Sequence, residues 1–122
     1  MPKKILIVDD DAMSNTLVGF LLKTNSYEVV SAQDGQEGLE KAKQEKPDLI
    51  VLDVMMPKMD GYTFLHELKR SSDGKIPPII MLTAKDQMEV TFKMEGVADY
   101  FVKPLDTDKF LKRVKQVLPP TQ

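Results

Sequence analysis

The chain has no cysteine and no tryptophan in its 122 residues, and it has a single histidine. Without cysteine there can be neither a disulfide framework nor a thiolate metal site, which fits a reducing compartment. No stretch approaches the roughly 20 apolar residues of a membrane span, so no membrane association is expected. The start, Met1-Pro2-Lys3-Lys4, runs at once into a short apolar run and three acids. It lacks the apolar core and cleavage site of a signal peptide, and a cytoplasmic location is the expectation. The formal charge of -2 is too small to advertise a nucleic-acid surface. Lys109, Lys112, Arg113 and Lys115 cluster late in the chain, where a solvated helix face accounts for them.

What is present suits one globular domain, with 42% apolar and 30% charged residues. A single domain over 1–122 is expected, in which 119–122 form a tail or the start of a linker. Ile5 to Val8, Leu49 to Leu52 and Ile79 to Leu82 are apolar without alternation, the pattern of strands buried on both faces. Glu28 to Ser31 and Tyr100 to Val102 read as weaker strands nearer the sheet edges. Helical signals fill each gap, four of them opening with an acid that can cap free N–H groups. Asp11 precedes the Met13, Leu17, Leu21 series; Asp34 and Asp86 stand three residues before Glu37 and Glu89; Asp106 precedes Phe110, Val114 and Val117. A further helix should begin near Asp60-Gly61 and turn Phe64, Leu65 and Leu68 toward the sheet. Strands separated by single helices run parallel with right-handed crossovers. The expected architecture is therefore α/β: a doubly wound, five-stranded parallel sheet of order 2-1-3-4-5 flanked by five helices. Its topological switch point lies between the first and third strands.

The residues that follow those two strands are acidic: Asp9, Asp10 and Asp11 after Val8, and Asp53 after Leu52. Converging carboxylates repel one another unless a cation lies between them, and oxygen ligands without nearby histidine or cysteine suit Mg²⁺. A lone strand-end acid is usually a helix cap, as Asp11 is expected to be. Asp9, Asp10 and Asp53 together are costly beside a buried sheet without a ligand. Thr83 and Lys103, each ordinary alone, end two further strands at the same edge. A hydroxyl, an ammonium and a divalent cation facing one carboxylate form a site for a phosphoryl group.

These residues sit in four motifs: Ile5-Leu6-Ile7-Val8-Asp9-Asp10-Asp11, the run from Leu52-Asp53 to Asp60-Gly61, Leu82-Thr83-Ala84, and Asp99-Tyr100-Phe101-Val102-Lys103-Pro104-Leu105. In order and spacing they resemble the receiver domains of two-component response regulators, a flavodoxin-like fold, over essentially the whole chain. The resemblance implies that Asp53 accepts a phosphoryl group from a phosphohistidine on a histidine kinase or phosphotransfer protein. It implies Mg²⁺, or Mn²⁺, held by Asp10, Asp53 and the backbone carbonyl of Met55, with Asp9 acting through water. Lys103 would pair with a phosphoryl oxygen before a cis Lys103-Pro104 bond. Thr83 would move to the phosphoryl group, and Tyr100 would turn into the space it vacates. The face made by the fourth helix, fifth strand and fifth helix would then meet a protein target, a linked output domain or a second copy, so that the domain is a monomer or a phosphorylation-dependent dimer. Such a domain assists its own phosphorylation and is no conventional enzyme.

Three departures from the family pattern stand out. Thr83 to Gly96 is about two residues short, so the fourth helix or its preceding loop should be truncated. Gly96-Val97-Ala98 replaces a common Gly-Ala-Asp, a change expected to be confined to the surface. Met55 and Lys85 occupy positions beside the phosphorylation site that, by the resemblance, tune phosphoryl lifetime in the family. Among rivals, a dinucleotide fold or P-loop would need glycine-rich turns where this chain has Asp-Asp-Asp. An aspartyl phosphatase would need a second acid at Met55. A receiver-fold interaction module acting without phosphorylation is the stronger alternative. His66, among Glu67, Lys69 and Arg70, reads as a solvated surface residue.

Overall fold

Ile5, Leu6, Ile7 and Val8 are all buried, because successive side chains of a strand point to opposite faces and helices cover both. The computed structural model describes residues 2–121; Met1 and Gln122, the outermost residues of the N-terminal segment and of the tail, lie outside the described residues. Strands β1 (Lys4–Val8), β2 (Glu28–Ala32), β3 (Leu49–Leu52), β4 (Ile79–Thr83) and β5 (Asp99–Val102) alternate with helices α1 (Ala12–Lys23), α2 (Gly35–Glu45), α3 (Gly61–Ser71), α4 (Glu89–Met94) and α5 (Thr107–Val117). All neighbouring strands are parallel, in the order β2-β1-β3-β4-β5, as expected from the sequence.

The core lies in two layers. Leu6, Val8, Ile50 and Leu52 meet Phe64 and Leu65 of α3 and Phe92 of α4 on one face. Ile5, Ile7, Leu49 and Val51 meet Val18 and Leu22 of α1 and Phe110 and Val114 of α5 on the other. On this second face the buried Tyr27 hydroxyl donates to the carbonyl of Leu118, tying the end of α5 to the start of β2. No helix among the described residues is long and apolar enough to cross a membrane.

Four acids cap helices by accepting from backbone N–H groups: Asp11 from Met13 at 3.0 Å, Asp34 from Glu37 at 2.8 Å, Asp60 from Thr63 at 2.8 Å and Asp106 from Lys109 at 3.1 Å. Asp86 does not cap. Helix α4 starts only at Glu89, its cap position is Met88, and no side chain caps it. The chain leaving β4 is instead held by one local and one tertiary bond. The N–H of Lys85 donates to Thr83 Oγ1 at 3.1 Å, and the Tyr100 hydroxyl donates to the Lys85 carbonyl. The result is a fourth helix of 6 residues, in keeping with the short Thr83 to Gly96 segment.

One further expectation is corrected, and the Met13, Leu17, Leu21 series of α1 divides, with Leu21 packed against the core. In α1, Met13 (82% exposed) and Leu17 (53%) form an outer stripe with Phe20 (68%), whereas Val18, Gly19 and Leu22 face the sheet. The helix carries two apolar stripes, and the sheet takes the other one. Val97 is not a surface change, since it is buried in the core layer that holds Phe92 and Tyr100.

Candidate functional site

The parallel register ends β1 and β3 level, with Val8 beside Leu52, and ends β4 and β5 level, with Thr83 beside Val102. Backbone bonds lock the residues that follow: Asp53 N–H donates to the Val8 carbonyl at 3.0 Å and Asp9 N–H to the Ala32 carbonyl at 3.1 Å. The carboxylates of Asp9, Asp10 and Asp53 are thereby brought together, each offering an oxygen within 4.8 Å of the others. Asp9 is 3% and Asp53 5% exposed, whereas Asp10 faces solvent.

Lys103 enters from the end of β5. Its Nζ lies 2.9 Å from Asp9 Oδ2 and 3.9 Å from Asp53 Oδ2. The Lys103–Pro104 peptide is cis. One ammonium leaves three carboxylates in excess of positive charge. Burial above all, together with the charge of Asp53, pushes the Asp9 carboxyl up from its ordinary value, while the Asp11 N–H and Lys103 pull it down. An all-oxygen donor set with surplus negative charge fits a hard divalent cation of the Mg²⁺ type.

The acceptor loop is built tightly. Met55 N–H donates to Asp53 Oδ1 at 3.2 Å, and the Met55 side chain is exposed. Gly61 N–H donates to the Val54 carbonyl at 2.8 Å, and a Cβ on Gly61 would come within 2.3 Å of the Asp53 carbonyl oxygen and 2.9 Å of Val54 Cα. Only glycine lets the first turn of α3 approach the acceptor this closely. The site also contains a residue not singled out from sequence. Asn15 Nδ2, on the first turn of α1, donates to the Asp9 carbonyl, while its Oδ1 is buried without a partner. The signal available was its place one turn beyond the capping Asp11.

Thr83 is fully buried at the end of β4, its hydroxyl accepting from Lys85 N–H. Tyr100 already lies inside, packed 6.1 Å from Phe92 ring to ring. In this conformation it is a core residue with its hydroxyl bonded to the Lys85 carbonyl, while Thr83 keeps its own place beside Lys85. On the face of α4, β5 and α5, Arg113 Nε lies 3.0 Å from Asp99, and Lys93 lies 3.6 Å from Asp99 and 2.9 Å from Glu89. Arg113 also donates to the Ala98 carbonyl, so it is tied down, whereas Lys109, Lys112 and Lys115 are exposed as expected. Val90, Met94 and Val102 are exposed apolar residues of the same face.

Known proteins share this fold. Residues 5–115 match the family described as the response regulator receiver domain. The alkaline phosphatase synthesis transcriptional regulatory protein PhoP of Bacillus subtilis is 45% identical over 120 residues, 97% of this chain and 49% of its own length. The chain spans about half the length of most of the curated relatives it matches. Among solved structures, the chemotaxis protein CheY4 of Vibrio cholerae is 36% identical with a TM-score of 0.85, covering 95% of this chain and 98% of its own. The response regulator TrrA of Thermotoga maritima, solved in complex with Mg²⁺ and BeF, is 30% identical with a TM-score of 0.85 over 95% of this chain and 99% of its own. With the family match running from the first strand into the last helix, the chain belongs to the receiver domains of two-component response regulators.

Proposed function

We propose that the domain is a phosphorylation-dependent switch in which Asp53 accepts a phosphoryl group from a phosphohistidine of a histidine kinase or phosphotransfer protein. The observation that carries this is the convergence of Asp9, Asp10 and Asp53 within 4.8 Å, with the Lys103 ammonium beside two of them. In the transfer, a carboxylate oxygen of Asp53 attacks phosphorus in line. The P–N bond breaks, its electron pair leaves on the imidazole nitrogen, which is protonated, and Asp53 becomes an acyl phosphate. Held by Asp10, Asp53 and the Met55 carbonyl, with Asp9 acting through water, Mg²⁺ or Mn²⁺ would supply neutralising charge for the phosphoryl oxygens. Lys103 stands 3.9 Å from Asp53 and can exchange Asp9 for a phosphoryl oxygen. Thr83 offers the hydroxyl that can donate to the new group.

The protein itself supplies position and charge for a single transfer, so we class it as a self-assisting phosphoacceptor and not as a conventional enzyme. Output would pass through the face of α4, β5 and α5 to a protein target or a covalently linked output domain, with the receiver a monomer or a phosphorylation-dependent dimer. In support, PhoP is named a transcriptional regulatory protein and is about twice as long as this chain. One observation favours a second reading, a constitutive interaction module: α4, part of the output face, is only 6 residues long and starts without a side-chain cap. Incubation with a small acyl phosphate and Mg²⁺, followed by intact-mass measurement, separates the two. A gain of one phosphoryl group that is absent in Asp53→Asn is the expected result; no gain in the wild type leaves only the module.

A further inference from the structure

Three side chains on one stripe of α3 converge on Glu95, the residue that ends α4. His66 Nε2 lies 3.0 Å from Glu95 Oε1, and Lys69 Nζ lies 3.3 Å from the same oxygen. Lys69 also donates to the Glu95 backbone carbonyl at 2.7 Å, and the Tyr62 hydroxyl lies 3.5 Å from Glu95 Oε2. His66 is exposed, as expected from its neighbours in sequence, and is also paired with Glu95. Because α4 is short and lacks a side-chain cap at its start, its polar ties to α3 among the described residues lie at its C-terminal end.

The same stripe reaches toward the phosphoacceptor edge through aromatic contacts. The Tyr62 ring stands 4.4 Å from that of His66 and 6.0 Å, edge on, from that of Phe92. Phe92 in turn packs on Tyr100, whose hydroxyl holds Lys85. A change in how α4 sits on α3 therefore touches the ring that anchors the loop after β4.

We propose that His66 and Glu95 form a proton-sensitive latch: protonated His66 holds α4 in its resting place against α3, and loss of that proton loosens it. The surrounding charges leave this role to His66. On α3, Glu67 and Arg70 pair with each other, and Lys69 shares the Glu95 oxygen. On α4, Glu89 pairs with Lys93, which also reaches Asp99 of β5, the partner of Arg113 on α5. The Lys69 hydrogen bond, and after it the charge of His66, hold the Glu95 carboxyl below the usual range, so Glu95 stays ionised near neutrality. Histidine is the side chain that ordinarily changes charge between roughly pH 5 and 8. A neutral imidazole keeps a hydrogen bond to Glu95 but gives up the ionic part.

The consequence for signalling rests on the switching proposed at Asp53: a latched α4 opposes movement of the output face, so the activated state is harder to reach in acid than in base. For a partly exposed pair the effect is about two- to five-fold in an equilibrium constant. Backbone amide shifts of residues 89–96, followed by NMR in the Mg²⁺-containing domain from about pH 5.5 to about pH 8, should titrate in the wild type and flatten in His66→Gln and Glu95→Gln. With beryllofluoride and Mg²⁺ as the acyl-phosphate mimic, His66→Gln should bind about two- to five-fold tighter than wild type at the acid end and equally at the alkaline end. Taking the ratio of variant to wild type removes the pH dependence of the probe itself. A Glu95→Gln protein whose α4 shifts keep the wild-type pH profile overturns the latch, and an affinity ratio that stays flat with pH overturns its link to switching. If none of the three proteins binds beryllofluoride, the Asp53 proposal fails instead, and the α4 shifts still decide the latch.

Discussion

Lys103 bonds the carboxylate of Asp9 at 2.9 Å and only stands near that of Asp53, at 3.9 Å. Asp9 is buried and Lys103 partly exposed, so removing the ammonium leaves a buried charge with one fewer partner. Lys103→Ala should therefore cost about 1–3 kcal/mol of stability in chelator-treated protein, less than a fully buried pair would. Added Mg²⁺ should recover part of the loss, because a second cation then serves the same carboxylates. Urea unfolding with and without Mg²⁺ measures both quantities, and an identical loss in the two conditions would count against a shared charge balance.

The raised Asp9 carboxyl predicts the pH dependence of the metal-free domain. Burial is the main cause, so the folded state holds the proton more firmly than the unfolded chain, whose ordinary value is 3.8. Stability from this group is fully present below the unfolded value and is lost as pH rises through the raised folded value. Asp9→Asn removes that loss. Thermal melts of chelator-treated protein from about pH 4 to about pH 7 should show the variant gaining on the wild type as pH rises; a variant that loses ground to the wild type as pH rises would reverse the sign argued here.

Gly61→Ala should damage both fold and site. Its methyl group would meet the Asp53 carbonyl oxygen and Val54 Cα, both backbone atoms that cannot swing aside. A cost of about 2 kcal/mol or more is expected, with slower phosphorylation of Asp53. Gly74→Asn is the control, since the site has open space and a φ of +77° that asparagine tolerates. Denaturant midpoints of the two variants should separate clearly, and equal midpoints would mean that α3 can retreat from the acceptor loop without penalty.

Tyr27→Phe should cost about 1–2 kcal/mol, because the Leu118 carbonyl is left without its buried donor. Burial also raises the Tyr27 hydroxyl above 10.0. The stability tied to that proton is full below the unfolded value and is lost as pH rises through the folded one. The variant should therefore lose less stability than wild type on the alkaline side. Comparing melts near neutrality and above about pH 10 gives both numbers.

The strand order and the meeting of Asp9, Asp10, Asp53 and Lys103 were legible because both follow from local pattern. Doubly buried runs such as Leu49 to Leu52 announce central strands, and the residue after a parallel strand must lie at its carboxyl edge. What escaped the pattern depends on distant partners. Asp86 has the spacing of a capping box, yet Tyr100 and Thr83 hold Lys85 and delay the helix to Glu89. Met13 and Leu17 have helical spacing, yet Val18 and Leu22 form a second stripe, and only the sheet chooses between them. Glu95 lies far along the chain from His66, and nothing near the histidine in sequence names it.

Lys85 is gripped twice at the backbone, its amide by Thr83 and its carbonyl by Tyr100. Those two grips belong to neighbouring strands but meet on a single residue, so the peptide units around it work as a rocker with no slack. Drawing the threonine oxygen toward another donor or acceptor would release one arm while the phenol still holds the other. The loop must then pivot about the tyrosine, and its motion arrives directly at the start of α4.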